Sequence, residues 1–244
     1  DSYPYRFPVY DVCSGSSDNV IIALYQNNSI ASVDFRAQRI HLLPYKTNQP
    51  HGIFSQDDIL LVSCFRLGCI QVYELESSSM ISFIKTPNFF PISSILYEDL
   101  ILSIDYLNSR LISISRDNLT IQNDLSYLLG SMRKPHSIKV GQGLICIACQ
   151  DPPSVVLLDG LEVLQCKQIC TDGKLMSAIQ VDKSKVLLAM YHQGIKELDL
   201  ETGSISDLLK VNSVTSIHPC GNTLNISTES GFIGSIEDWQ DLVC

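Results

Sequence analysis

The chain has 244 residues, 45% of them hydrophobic and 18% charged, and a formal net charge of −9. That balance supplies ample core material and argues against disorder, while the acidity counts against a broad phosphate-binding surface. The longest apolar runs, such as 20–25, are far shorter than the roughly twenty residues that cross a bilayer as a helix, so no membrane partner is expected.

In chain order, the segment 3–9 has no partner within the first repeat unit and is expected to pair with the last unit. A hairpin then follows over 20–25 and 30–35. The next unit has a short strand around Ile53, a hairpin over 59–62 and 70–75, and a fourth strand at 80–84. The pattern repeats around Ile92 with runs from Leu100 and at 111–115, and around Ile138 with 144–149 and 155–158. It closes around Ile179 with runs from Val186 and at 195–200, and around Ile217 with runs from Leu224 and at 232–236. The second strands begin at residues 20, 59, 100, 144, 186 and 224, spacings of 39, 41, 44, 42 and 38 residues. A period near forty with four short strands per unit and no helical periodicity is the pattern of a propeller blade. The runs are apolar on both faces, as in Ile59, Leu60, Leu61 and Val62, which fits sheets covered on each side.

The predicted fold is therefore all-β: one six-bladed β-propeller over 1–244, built of four-stranded antiparallel blades. The blades fall near 9–48, 49–88, 89–133, 134–172, 173–212 and 213–244, and 3–8 joins the last to close the ring.

One hairpin carries Asp105, Asn108, Arg110 and Leu111, which resembles the Asp-x-x-Asn-x-Arg-Ile element of NHL-repeat propellers. Pro50, Gly52 and Ile53, followed by 59–62 and 70–73, resemble the rest of that consensus. The match in motif covers about two units; blades one, four, five and six lack the Asp and Asn. The resemblance implies the propeller architecture and a platform for protein or RNA, with a smaller group of metal-dependent lyases in the same class.

Nine cysteines, an odd number, and the lack of a charged-then-apolar leader after Asp1 point to a reducing, cytoplasmic setting. Cys64 and Cys69 flank a hairpin loop and read as buried thiols. Cys146 and Cys149 have the gap of a zinc knuckle, but on a strand residues three apart face opposite ways. Of the sequons at Asn27, Asn118 and Asn225, the last falls within a strand.

Two inner strands open alike, with Pro50-His51 and Pro135-His136, two blades apart on one channel mouth. The resemblance gives this pair meaning, because amidating lyases of similar fold hold zinc with histidines at comparable positions. Catalytic zinc takes three protein ligands and a water, and blade six offers Thr215 at the matching position, with His218 too far along its strand. No metal and no cofactor are expected, His51 and His136 being the candidate ligands if one binds. No Gly-x-Ser-x-Gly elbow and no phosphate-binding glycine loop occur, which disfavours a serine hydrolase and a nucleotide cofactor.

The repeat also assigns each loop to one end of the ring. One end gathers aromatic and basic residues; the other gathers acidic ones, among them Asp34, Asp57, Asp58, Asp117, Asp182, Asp199 and Glu201. Aromatic rings and arginine on loops are the side chains enriched at binding hot spots. The reading is a non-catalytic interaction module for a protein or peptide on the aromatic end, through Tyr25, Tyr45, Phe65, Arg66, Phe89, Phe90, Tyr106, Arg133, Lys134 and Tyr191. RNA on the same rings is the first alternative, weakened by the net charge, and a metal-dependent lyase or hydrolase at His51 and His136 is the second.

Overall fold

The computed structural model describes residues 2–4, 8–15, 19–86 and 88–239, and its strands form six antiparallel sheets arranged as a six-bladed β-propeller. The first strand, β1 (Ser2–Pro4), belongs to the last blade. Blade one is β2 (Val9–Ser14), β3 (Val20–Leu24), β4 (Ser29–Asp34) and β5 (Arg39–Leu42). Blade two is β6 (Pro50–Gln56), β7 (Ile59–Cys64), β8 (Cys69–Glu74) and β9 (Ser79–Lys85). Blade three is β10 (Pro91–Tyr97), β11 (Leu100–Asp105), β12 (Arg110–Ser115) and β13 (Ile121–Asp124). Blade four is β14 (Arg133–Gly141), β15 (Leu144–Asp151), β16 (Pro153–Asp159) and β17 (Glu162–Gln168). Blade five is β18 (Leu175–Gln180), β19 (Lys185–Met190), β20 (Gly194–Asp199) and β21 (Ile205–Leu209). Blade six is β22 (Val214–Cys220), β23 (Thr223–Thr228) and β24 (Phe232–Glu237), completed by β1.

The N-terminus closes the ring with less chain than the sequence suggested. Ser2, Tyr3 and Pro4 pair antiparallel with Gly234, Ile233 and Phe232, whereas Val9 already belongs to the inner strand of blade one, paired with Leu24. Residues 5–7 of that expected segment lie outside the described residues. A strand drawn from the far end of the chain covers an edge that would otherwise stay open.

The apolar core lies between blades. Six clusters fill the six seams: Val62 and Cys64 with Ile21 and Ile30, Ile101 and Ile112 with Leu61 and Ile70, and so on to Ile233 against Val9 and Ile22. This is why the strands are hydrophobic on both faces. Cys146 and Cys149 show the same geometry, for Cys146 packs into the seam with blade five and Cys149 into the seam with blade three. Cys64 and Cys69 are cross-strand neighbours, both buried free thiols. Asn225 is buried within β23, so its sequon is inaccessible to glycosylation.

The Asp105 and Asn108 motif works as a staple. The buried Asp105 carboxylate accepts the backbone N–H groups of Leu107 (2.8 Å), Asn108 (3.0 Å) and Phe90 (3.0 Å), the last from the segment entering the blade. Asn108 Nδ2 donates to the same carboxylate at 2.6 Å, and Arg110 pairs with Asp124 at 2.9 Å. The acidic end follows a related logic in its turns. Asp34, Asp58 and Asp199 accept the N–H groups of Ala37, Glu76 and Thr202 at 2.8, 2.8 and 2.7 Å, so these carboxylates close turns.

Asp105→Ala leaves three backbone donors without their acceptor, and hydrogen bonds to a charged acceptor contribute about 1.5 to 3 kcal/mol each, with partial recovery by water. The variant should lose about 2 to 3 kcal/mol in chemical denaturation, whereas Asp117→Ala, on an exposed turn, should stay within about 0.5 kcal/mol of the parent. Equal midpoints for the two variants would show that the motif holds nothing together.

Candidate functional site at the channel mouth

The inner strands β2, β6, β10, β14, β18 and β22 line the axis, and each breaks register at the same level. The shifts fall between Val9 and Val12, Pro50 and Gly52, Pro91 and Ser93, Pro135 and Ser137, Leu175 and Ser177, and Val214 and Ser216. A bulge re-aims the residue it leaves unpaired. Here the residues at the bulges are Tyr10 with Asp11, His51, Ile92, His136, Met176 and Thr215, and all of them line the axis. Below this ring the strands come close. A Cβ on Gly52 would lie 2.5 Å from the Ile92 carbonyl oxygen, so only glycine fits beside His51.

The two histidines meet. Their ring centroids are 5.3 Å apart in an edge-on arrangement, and both residues are only 8% exposed. His136 Nδ1 lies 2.8 Å from the Met176 carbonyl oxygen, which can only accept, so Nδ1 carries the proton and Nε2 keeps a lone pair. His51 bonds in the same way to the backbone of Ile92, the matching residue of the next blade. Burial, reinforced by its neighbour His136, pushes the His51 pKa down to about 3. Burial likewise lowers that of His136, with Lys174 adding to the effect. Both imidazoles are neutral at physiological pH.

The waist of the channel is closed by an ion pair that sequence reasoning missed. Lys139 Nζ of blade four reaches Asp11 Oδ1 of blade one, on the opposite side of the ring, at 3.0 Å, and both side chains are buried. Ser216 Oγ (2.5 Å) and the N–H groups of Ile53 (3.0 Å) and Val12 (2.9 Å) also donate to Asp11. Burial alone would raise the Asp11 pKa, but Lys139 and these three hydrogen bonds outweigh it and hold the carboxyl below its ordinary range. A charged residue inside each of two apolar inner strands was the available signal. Further down, His218 Nε2 bonds to Ser14 Oγ at 2.8 Å, in a different layer from His51 and His136. Among the described residues no three His, Cys, Asp or Glu side chains gather as a metal-holding group.

Above the histidines lies a blind recess of about 330 Å³. Tyr10, Tyr25, Phe65, Tyr106 and Tyr191 supply its aromatic wall, Gln150 and Met176 part of its side, and Lys174 and Glu229 its charges. The rings adjoin: Tyr10 is 4.9 Å from Tyr25 and 4.8 Å from His51, His51 is 6.2 Å from Phe65, and Tyr106 is 6.0 Å from His136. Tyr25, Phe65, Tyr106 and Tyr191 were selected from the sequence; Tyr10 and Lys174 were not among the selected binding residues. Of the rest, Arg66, Arg133 and Lys134 are exposed on the same end and Phe90 is half-buried, 6.2 Å from Phe65. Lys134 is 3.7 Å from Asp151. Tyr45 and Phe89 are corrections to the expected surface. Tyr45 stacks 4.4 Å from Tyr73 at 5% exposure, and Phe89, at 1%, fills the seam between blades two and three beneath Arg110, so both rings serve packing.

Solved structures share this architecture. The chain superposes on Kuenenia stuttgartiensis hydrazine synthase with a TM-score of 0.72 and 12% identity, covering 99% of this chain and 80% of that one. The WD40 propeller domain of Doa1 gives 0.68 and 10%, covering 98% and 96%, and virginiamycin B lyase from Staphylococcus aureus gives 0.67 and 13%, covering 97% and 87%. Likenesses at identities this low show the propeller fold and nothing of its chemistry. No protein-family model matches the chain, and no curated protein matches it in sequence.

The histidines make stability depend on pH with a definite sign. Their folded values lie below the unfolded value near 6.5, so the unfolded chain takes up protons first and stability rises with pH. His51 and His136, with His218 also held low by burial and by Lys139, contribute no penalty above about pH 6.5. Below it they cost progressively more as pH falls toward the folded values, about 3 for His51. Denaturation midpoints should therefore fall steadily from pH 6.5 to 4.5, with a slope approaching about 1.4 kcal/mol per pH unit for each buried imidazole. A flat profile over that interval would mean the rings are protonated in the folded state.

Proposed function

We propose that the chain is a non-catalytic interaction module that holds a protein or peptide partner on the channel-mouth end of the propeller. The observation that carries this reading is the convergence of Tyr10, Tyr25, Phe65, Tyr106 and Tyr191 from four of the six blades on one recess. Interior packing accounts for only part of that convergence: Phe65, Tyr106 and Tyr191 rest one side on the seams, yet all five rings stay half-buried, unlike Tyr45 and Phe89, which are buried within the seams. Half-exposed aromatic rings beside an exposed guanidinium are the composition of a binding hot spot. Phe65, Arg66 and Leu67 form a short 3-10 turn at the hairpin tip, held by Gly68 at φ +60, and among the described residues Arg66 has no hydrogen-bond or ion-pair partner. The opposite end offers turn-closing carboxylates in place of such groups.

The test compares the two ends. Phe65→Ala with Arg66→Ala should weaken partner binding by about 1 to 2 kcal/mol or more, measured by calorimetry, while thermal melting shows the fold retained. Asp117→Lys with Glu201→Lys, on the acidic end, should leave affinity within about twofold, the scale of a rim charge. If the acidic-end variant loses the partner and the Phe65/Arg66 variant keeps it, the working face is the other one.

A further inference from the structure

We infer that the recess binds an alkylammonium group, the head of a lysine side chain presented by the partner; this rests on the interaction reading above and names the chemistry it recognises. Three independent features point to a small cation. The walls are the aromatic rings of Tyr10, Tyr25, Phe65 and Tyr106, whose faces attract cations most strongly where water is excluded. The floor is two buried, neutral imidazoles. His136 donates through Nδ1 to Met176, which leaves Nε2 as an acceptor with no partner among the described residues. Glu229 stands beside Tyr10 and supplies a negative charge at the rim.

An anion finds less. Among the described residues Lys174 is the single cationic group lining the recess, exposed at its rim, and the floor presents a lone pair where an anion needs a donor. A large ligand does not fit either. At about 330 Å³ the recess is at the low end of ligand pockets, and the Asp11–Lys139 pair closes the channel below it. One extended side chain, entering from the aromatic end, suits that shape, and an ammonium N–H can then donate to the imidazole floor.

The probes are n-butylammonium chloride, neutral 1-butanol and sodium pentanoate, titrated into the intact chain and followed by NMR shifts or calorimetry. Butylammonium should bind at least about tenfold more tightly than butanol, the scale of a desolvated cation–π site, and pentanoate should bind no better than butanol. Two rim variants, at the exposed Lys174 and the half-buried Glu229, keep the test independent of the core. Lys174→Gln should tighten butylammonium by about two- to fivefold, and Glu229→Gln should weaken it by a similar factor. Equal affinity for butanol would make the recess merely apolar and overturn the inference. Tighter binding of pentanoate, or the opposite response of the two variants, would make it an anion site. Zinc(II) that displaces butylammonium and is lost in His51→Ala would make it a metal site. A partner that depends on Phe65 and Arg66 yet is not displaced by butylammonium sinks the lysine assignment alone. A partner indifferent to both residues sinks the interaction reading instead.

Discussion

The propeller's centre depends on one carboxylate. Asp11 accepts hydrogen bonds from Val12 in its own strand, Ile53 in blade two, Lys139 in blade four and Ser216 in blade six, so four of the six inner strands are tied to one side chain. A buried charge is tolerated only when its lone pairs are satisfied, and removing one member of such a pair typically costs about 3 to 5 kcal/mol because the other is left uncompensated. The direct bond from blade four to blade one crosses the ring, where the seams join only neighbours. The same bond lies across the waist, so the recess above it is a cup that opens at the aromatic end.

That cup is lined by bulges. In each inner strand one register shift places a side chain at the mouth, and in five of the six the next position down is small, a glycine or a serine: Gly52, Ser93, Ser137, Ser177 and Ser216. Six strands converging on an axis leave little room, so the second layer is fixed by sterics. Hydroxyl groups in and behind this layer then pair among themselves, as Ser137 does with Ser177 at 3.3 Å and Ser63 with Ser94 at 2.8 Å. The mouth residue is free of that limit. Tyr, His, Ile, His, Met and Thr occupy the six equivalent places, so the level at which the repeat is least uniform is also the level that forms the floor of the recess.

The repeat was legible because each blade states it locally: short apolar runs, turn residues and a period near forty recur whether or not the residues themselves do. The histidine pair was legible for the same reason, since Pro50-His51 and Pro135-His136 mark the same step of two blades. The ion pair was not, because Asp11 and Lys139 are 128 positions apart and nothing local relates them. Tyr45 and Phe89 misled because loops carry core residues too. A ring on a connection between blades either projects from the surface or turns back into the seam, and the sequence around Phe89 does not record that Arg110 lies over it at 5.8 Å. The Asp105 and Asn108 pair was read as a mark of kinship, and its physical task is to close a hairpin tip onto the segment before the blade.

Charge on this molecule has two different causes, and separating them distinguishes the two ends of the ring. On the acidic end, carboxylates of Asp34 and Asp199 cap their own turns and Asp58 holds the Glu76 N–H of the neighbouring turn, so these charges serve the connections between strands. On the opposite end, Arg110 is committed to Asp124 and Lys134 faces Asp151. Arg66 has no such partner among the described residues, and Lys174 and Glu229 face the recess. A polar group whose bonding is complete explains structure. Among the described residues the incomplete ones, the Arg66 guanidinium and the unpartnered imidazole nitrogen among half-exposed rings, lie at the aromatic end, and a partner that satisfied them would also cover the aromatic surface that the fold leaves bare.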